Sequence, residues 1–213
     1  MIIGDVMTTN VISIPSHTSL AEARRIMDVH RFRRLPVIDK GKLVGIVTRD
    51  ALDRMGPSQL TTFSIHELGY LVSKITVKEV MRGEVVTVSP DMTVEEAVAL
   101  AQTKRVGMLV VMEGGKVVGV ATTNDFFYRI LNPILGIKMP GARIVVRNCY
   151  KGPDIEKIVA TINNIKVGIT NLFIISFPEV KKHDLVVHLD AEDCSRCIEE
   201  IEKLGFTVEA RAR

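Results

Sequence analysis

The sequence predicts an α+β protein: one supersecondary unit used twice, then a third unit with a different element order. Three observations carry this. A 45-residue block returns 74 residues downstream without a gap. Each copy alternates β-branched runs with helical spacing around a Gly-containing tight turn. The C-terminal part reads β-α-β-β-α-β.

Within the repeat, Val6-Met7 returns as Val80-Met81, and Lys42-Leu43-Val44-Gly45-Ile46-Val47-Thr48 as Lys116-Val117-Val118-Gly119-Val120-Ala121-Thr122. Val11–Ile14 and Val85–Val88 read as short strands. Ser19 with Glu22, and Thr93 with Glu96, are capping-box signatures that start a helix. Leu20, Ala23 and Met27 then keep helical spacing, as do Val94, Ala97, Val98 and Ala101. Leu35–Ile38 and Lys42–Val47 flank Asp39-Lys40-Gly41, while Leu109–Met112 and Lys116–Ala121 flank Glu113-Gly114-Gly115. These are hairpins, each followed by a second helix. Two copies of one unit pack together because neither buries its apolar face alone. A cleft between them is where a small molecule fits.

Residues 56–75 lie outside the repeat. Gly56-Pro57 breaks the preceding helix, and Ser64 with Glu67 starts a short connector helix carrying Ile65, Leu68, Leu71 and Val72. Residues 132–141 hold Pro133, Gly136, Pro140 and Gly141 and read as a linker. The third unit, 142–213, begins with a strand over Ala142–Arg147. A helix over Asp154–Ile165 presents Ile155, Ile158, Val159 and Ile162 on one face. Strands follow at Leu172–Phe177 and Leu185–Leu189. A helix over Glu192–Leu204 turns Cys194, Cys197, Ile198, Ile201 and Leu204 inward, and Phe206–Ala210 is a last strand. This is the split, ferredoxin-like arrangement. The domains are therefore 1–55 and 76–131 for the repeats and 142–213 for the last unit.

Trp is absent and aromatics are few, so the cores rest on Val, Ile, Leu and Met. A net charge of +3 points to neither nucleic acid nor membrane. No apolar run is long enough to span a bilayer, and no basic-then-apolar N-terminal segment reads as a signal peptide. Three cysteines fit a reducing compartment better than a disulfide framework. The expected location is cytoplasmic.

The repeat, over roughly Met1–Leu131, resembles a pair of CBS domains, a Bateman module. The carrying residues are Met7-Thr8-Thr9-Asn10-Val11-Ile12, Arg33-Arg34-Leu35-Pro36-Val37, Gly45-Ile46-Val47-Thr48 and Gly119-Val120-Ala121-Thr122-Thr123-Asn124-Asp125. The last unit is similar to an ACT domain, with Gly152 in its first strand-to-helix turn. The combination, with Ser64-Ile65-His66-Glu67-Leu68, resembles acetoin-utilisation regulators of the AcuB type. This resemblance implies a regulatory protein that holds AMP, ADP, ATP or S-adenosylmethionine between the repeats, with no required cofactor.

By that resemblance, Thr122-x-x-Asp125 holds a ribose. A carboxylate accepts two hydroxyl protons, Thr122 and Asn124 add side-chain hydrogen bonds, and helix-start amides favour phosphate. The same spacing is also a plain helix cap; the repeat context favours binding. In the first copy, Thr48 is followed by Arg49-Asp50, and the gapless partner of Asp125 is Ala51. Either Asp50 serves after a one-residue slip, or this half-site has lost its anchor. Arg33 and Arg34 stand where such families place phosphate-facing charge, against Gly107-Met108 in the second copy; a solvated basic face is the alternative. Thr9, Asn10 and Val11 edge the adenine by resemblance alone.

Cys194-x-x-Cys197 has redox or metal spacing, but its phase with Ile198 and Ile201 assigns it to the core. The turn at Lys151-Gly152-Pro153-Asp154 reads as an amino-acid site or as a helix start with Pro in the first turn, and the second is preferred. No catalytic triad, Walker loop or dinucleotide fingerprint occurs. The expectation is a non-catalytic sensor, homodimeric through sheet edges, acting through the last unit or a regulated protein partner. The competing readings are a nucleotide-processing enzyme and nucleic-acid binding through Arg24–Arg34.

Overall fold

The computed structural model describes residues 1–55, 75–177, 179 and 182–211. It divides into two compact units, Met1–Arg129 and Ile130–Arg213. The expected connector helix at Ser64 lies outside the described residues.

In the first unit the Ser and Thr expected at the two helix starts both act as N-caps. Ser19 Oγ accepts the Glu22 amide at the start of α2 (Leu20–His30), which follows the short α1 (Ile3–Val6). Thr93 and Glu96 close a full, reciprocal capping box on α4 (Val94–Thr103). Strands β1 (Arg34–Asp39) and β2 (Lys42–Thr48) form one hairpin, and β4 (Met108–Glu113) and β5 (Lys116–Thr122) the other. Lys40 and Gly41, like Gly114 and Gly115, all have positive φ, the type I′ geometry that matches strand twist. Helices α3 (Arg49–Arg54) and α5 (Thr123–Phe126) follow the hairpins. The repeat is exact in register: Arg34 pairs with Thr48 as Met108 with Thr122, and a bulge falls at Val37/Ile38 and again at Val111/Met112.

The two copies exchange their leading segments. Ile3 and Gly4 donate backbone bonds to Met92 and Pro90 of the second copy, and Val77 and Lys78 donate to Thr18 and Ser16 of the first. Thr8 pairs with Val120, and Arg82 with Ile46. These crossings explain the repeated glycine. A Cβ on Gly45 would lie 2.8 Å from the Arg82 carbonyl, and one on Gly119 2.5 Å from Met7 Sδ. Val77 is accordingly buried in the first copy's core with Met27, Leu35, Val37 and Val47. Each such side chain stabilises by about 1.5–3 kcal/mol.

One expected strand is not present. Thr87–Val88 forms β3, parallel to β4, but Val11–Ile14 reduces to a single bridge from Ile14 to Val37. Val110 donates its amide to Val86; its counterpart Pro36 has no N–H to extend the ladder.

The second unit has the expected element order. Strands β6 (Arg143–Val146), β7 (Ile169–Phe177), β8 (Lys182–Leu189) and β9 (Val208–Arg211) form one antiparallel sheet in the order β7-β8-β6-β9. Helices α7 (Gly152–Asn164) and α8 (Ser195–Glu202) cover one face through Ile158, Ile162, Cys197 and Ile201, packed on Ile144, Val146, Leu185, Val187 and Leu189. Both ends of the last helix move. Helix α8 starts at Ser195 rather than Glu192, because the Asp193 carboxylate accepts the Ser195 amide. Leu204 lies beyond the helix end and is exposed, not inward. The expected linker is also partly ordered. A π-turn over Phe127–Leu131 runs into α6 (Asn132–Leu135), Gly136 closes it in the left-handed region, and the Asn171 side chain donates to the Ile134 carbonyl at 2.8 Å.

On the opposite sheet face Arg147 bridges Asp184 and Glu209, each at 2.5 Å, with Lys182 at 3.2 Å from Asp184. Burial raises the carboxyl of Asp184; hydrogen bonds from Arg147, the Asn148 amide and Lys182 outweigh it and hold the group below the usual range.

Candidate functional site

Strand β5 delivers Thr122 to the start of α5, where Thr122 becomes the N-cap and Asp125 the third helical residue. Asp125 Oδ2 accepts from the Thr122 amide at 2.8 Å and its hydroxyl at 2.6 Å, while the Asp125 amide donates back at 3.4 Å. Asp125 Oδ1 accepts from the Thr8 hydroxyl, 2.8 Å away on the other copy's leading segment. The Asp125 side chain is only 11% exposed, and Arg129 Nε lies 3.9 Å from Oδ1. The motif is thus a working helix cap whose carboxylate also faces a cleft.

That cleft, about 500 Å³, lies between the repeats. Asp125, Thr122, Asn124, Arg33, Arg34, Asn10, Val11 and Asp50 all line it. Thr9 and Thr48 do not. Thr9 is exposed outside the lining, and Thr48 caps α3 by accepting the Ala51 amide at 3.2 Å. That bond also decides the first copy's alignment. Ala51 takes the position of Asp125, with no slip, so this half-site has no capping carboxylate. Asp50 sits one residue earlier, at the cleft mouth, 73% exposed and 3.9 Å from the equally open Arg33. Arg34 lines the same cleft and reaches across the repeat interface, with Nη1 3.5 Å from the Gly107 carbonyl.

Several lining residues were not anticipated: Thr8, Ile12, Arg31, Phe32, Pro36, Gly107, Met108, Val120 and Thr123. Gly107 carried a signal in the gapless repeat, standing opposite Arg33. Its missing Cβ makes room for the neighbouring Arg34 guanidinium, which would lie 2.7 Å from it. Thr8 carried none, since its partner is 117 residues away. A second, largely apolar hollow of about 390 Å³ lies behind Gly107 and Met108, between α4 and α5.

Other candidates do not converge. Burial pushes the Cys197 thiol up to about 11, and Cys197 is packed in the second unit's core, with Cys194 partly buried beside it. Among the described residues no group of three His, Cys, Asp or Glu could hold a metal. No described helix is long and apolar enough to cross a membrane.

The CBS domain family matches residues 3–55 and 77–132, the two copies just described. The chain belongs to the CBS-domain family. Among curated relatives, inosine-5′-monophosphate dehydrogenase of Korarchaeum cryptofilum is 36% identical over 125 residues, covering 58% of this chain and 23% of that protein. The chain thus spans under a quarter of that relative. The CBS pair also resembles solved structures. A Vibrio cholerae protein described as an acetoin utilization protein, AcuB, aligns with TM-score 0.53 and 26% identity, over 62% of this chain and 91% of that one. CBSX2, solved with AMP, aligns with TM-score 0.51 and 26% identity, over 62% and 96%. A CBS domain pair solved with 5′-methylthioadenosine and S-adenosyl-L-methionine aligns with TM-score 0.50 and 25% identity, over 62% and 96%.

Proposed function

We propose that this chain is a non-catalytic regulatory sensor that binds an adenine nucleotide or adenosyl ligand between its two CBS copies. One observation carries the reading: a nearly buried carboxylate from one copy, Asp125, and arginines from the other, Arg33 and Arg34, line a single cleft. The ribose meets Asp125 with Thr122 and Asn124 beside it. Phosphate lies toward Arg33 and Arg34, and the base lies against apolar lining such as Val11, Phe32 and Met108. The relatives solved with AMP and with S-adenosyl-L-methionine support the ligand class. The cleft's acids serve as a cap and a surface pair, not as a nucleophile and base, which favours sensing over turnover.

The domains we assign are 1–55 and 76–131 for the CBS copies, joined by the connector 56–75, and 142–213 for the last unit beyond the linker 132–141. The strand order and antiparallel sheet of that unit support a ferredoxin-like, ACT-like domain. It passes the ligand signal to a protein partner, within a cytoplasmic homodimer of AcuB-like type. Ligand shifts that equilibrium only by differential affinity for its states. Calorimetry with AMP, ADP, ATP and S-adenosylmethionine tests the reading. Binding of at least one below millimolar concentration is expected; failure of all four refutes it.

A further inference from the structure

The Asp125 carboxylate does not wait empty for a ribose. A carboxylate offers about four acceptor positions, two on each oxygen. Oδ2 already takes two donors, the Thr122 amide and hydroxyl. Oδ1 takes one, the Thr8 hydroxyl. A single acceptor position remains, and a ribose diol brings two O–H donors. The second can be seated only if a present donor leaves. Thr122 is held both ways within its own helical turn, and losing it would undo the start of α5. Thr8 is different. Its backbone is fixed independently, by the pair with Val120 at 2.8 and 3.0 Å and by the Arg129 guanidinium on the Met7 carbonyl at 3.0 Å. Its hydroxyl can therefore rotate away with no backbone movement.

We infer that Thr8 is a competitor for the ribose: binding exchanges the inter-repeat Thr8–Asp125 hydrogen bond for the ligand's second hydroxyl. This rests on the adenosyl reading of the cleft. Thr8 thereby sets the affinity of the site, and it lets the opposite repeat feel the diol as well as the base and phosphate. The competition has a sign that a supporting residue could not give. Removing the Thr8 hydroxyl should tighten binding, where removing a ligand contact weakens it.

The test is calorimetric titration of the full chain and its Thr8→Val and Thr8→Ser variants with AMP, 2′-deoxy-AMP and 3′-deoxy-AMP. Thr8→Val should bind AMP about three- to tenfold tighter than the wild type, the scale of one hydrogen bond to a charged group less the water that replaces it. Thr8→Ser, which keeps the hydroxyl, should match the wild type. Each deoxy analogue has one hydroxyl, which fits the open acceptor position, so Thr8→Val should leave its affinity unchanged. Should Thr8→Val fail to fold, Thr8→Ala serves with the same expectations. The inference is overturned if the variant binds AMP no tighter than the wild type, or if it tightens AMP and both deoxy analogues equally. If neither wild type nor variant binds AMP at millimolar concentration, the inference is overturned; the adenosyl reading falls with it only if ADP, ATP and S-adenosylmethionine fail as well.

Discussion

Asp125→Ala separates the two duties of one carboxylate. As a cap, Asp125 closes a reciprocal box with Thr122 and receives Thr8 from the other copy. Loss of a cap costs about 1 kcal/mol, and of a hydrogen bond to a charged group about 1.5–3. Because water reaches the vacated site, the net destabilisation should be about 1–2 kcal/mol, a fall in melting temperature of a few degrees. As a ribose acceptor, Asp125 should contribute about 2 kcal/mol after Thr8 is displaced, so affinity should drop about 30-fold. The control is Asp50→Ala. Asp50 caps nothing, is 73% exposed, and meets Arg33 only at 3.9 Å. Surface pairs of this kind are worth at most about 1 kcal/mol, so affinity should change less than about fivefold, with an unaltered melt. Calorimetry with the best-bound of the four ligands, beside thermal unfolding of each variant, reads both effects. If Asp125→Ala keeps wild-type affinity, or Asp50→Ala is the more damaging, the assignment of the anchor is wrong.

Gly107→Ala should push Arg34 from the Gly107 carbonyl, since the new Cβ would stand 2.7 Å from its guanidinium. The clash falls on the end of a flexible chain, so titrations should show ATP affinity falling severalfold with adenosine and the melt unchanged; Arg34→Ala should do the same. Cys197→Ala should cost about 1 kcal/mol in denaturant unfolding through lost packing. In the native protein at pH 8, iodoacetamide should label Cys194 before Cys149 and Cys197, whose thiols burial pushes upward; stoichiometric zinc in the purified protein would contradict the core assignment. Arg147→Ala leaves the buried Asp184 with only Lys182 and the Asn148 amide and should cost about 2–4 kcal/mol. The Asp184 carboxyl is held low in the folded state, so its contribution is full above about pH 4 and is lost as pH falls through the lowered value. Acid unfolding curves should show that loss in the wild type and a shallower one in Arg147→Ala.

The sequence alone determined what depends on neighbours in the chain. The Ser19 and Thr93 caps, the Lys40-Gly41 and Gly114-Gly115 turns and the gapless repeat are each written within a few residues, because caps and type I′ turns are satisfied locally. The order of elements in the last unit follows from the same periodicities. Tertiary structure decided the rest. Whether Thr-x-x-Asp is a cap or a cleft group could not be settled by spacing; the fold makes it both, by bringing Thr8 across 117 residues to Oδ1. Whether Asp50 or Ala51 matches Asp125 depended on which amide reaches Thr48. Pro36 removed a strand that β-branched residues favoured, because its missing N–H faces Val11–Ile14 only after the chain has folded back. Gly107 became part of the cleft only when Arg34 crossed from the other copy to fill the space its side chain lacks. Periodicity and propensity describe a segment's own preferences; a binding cleft is made where segments remote in sequence compete for the same acceptors and the same space.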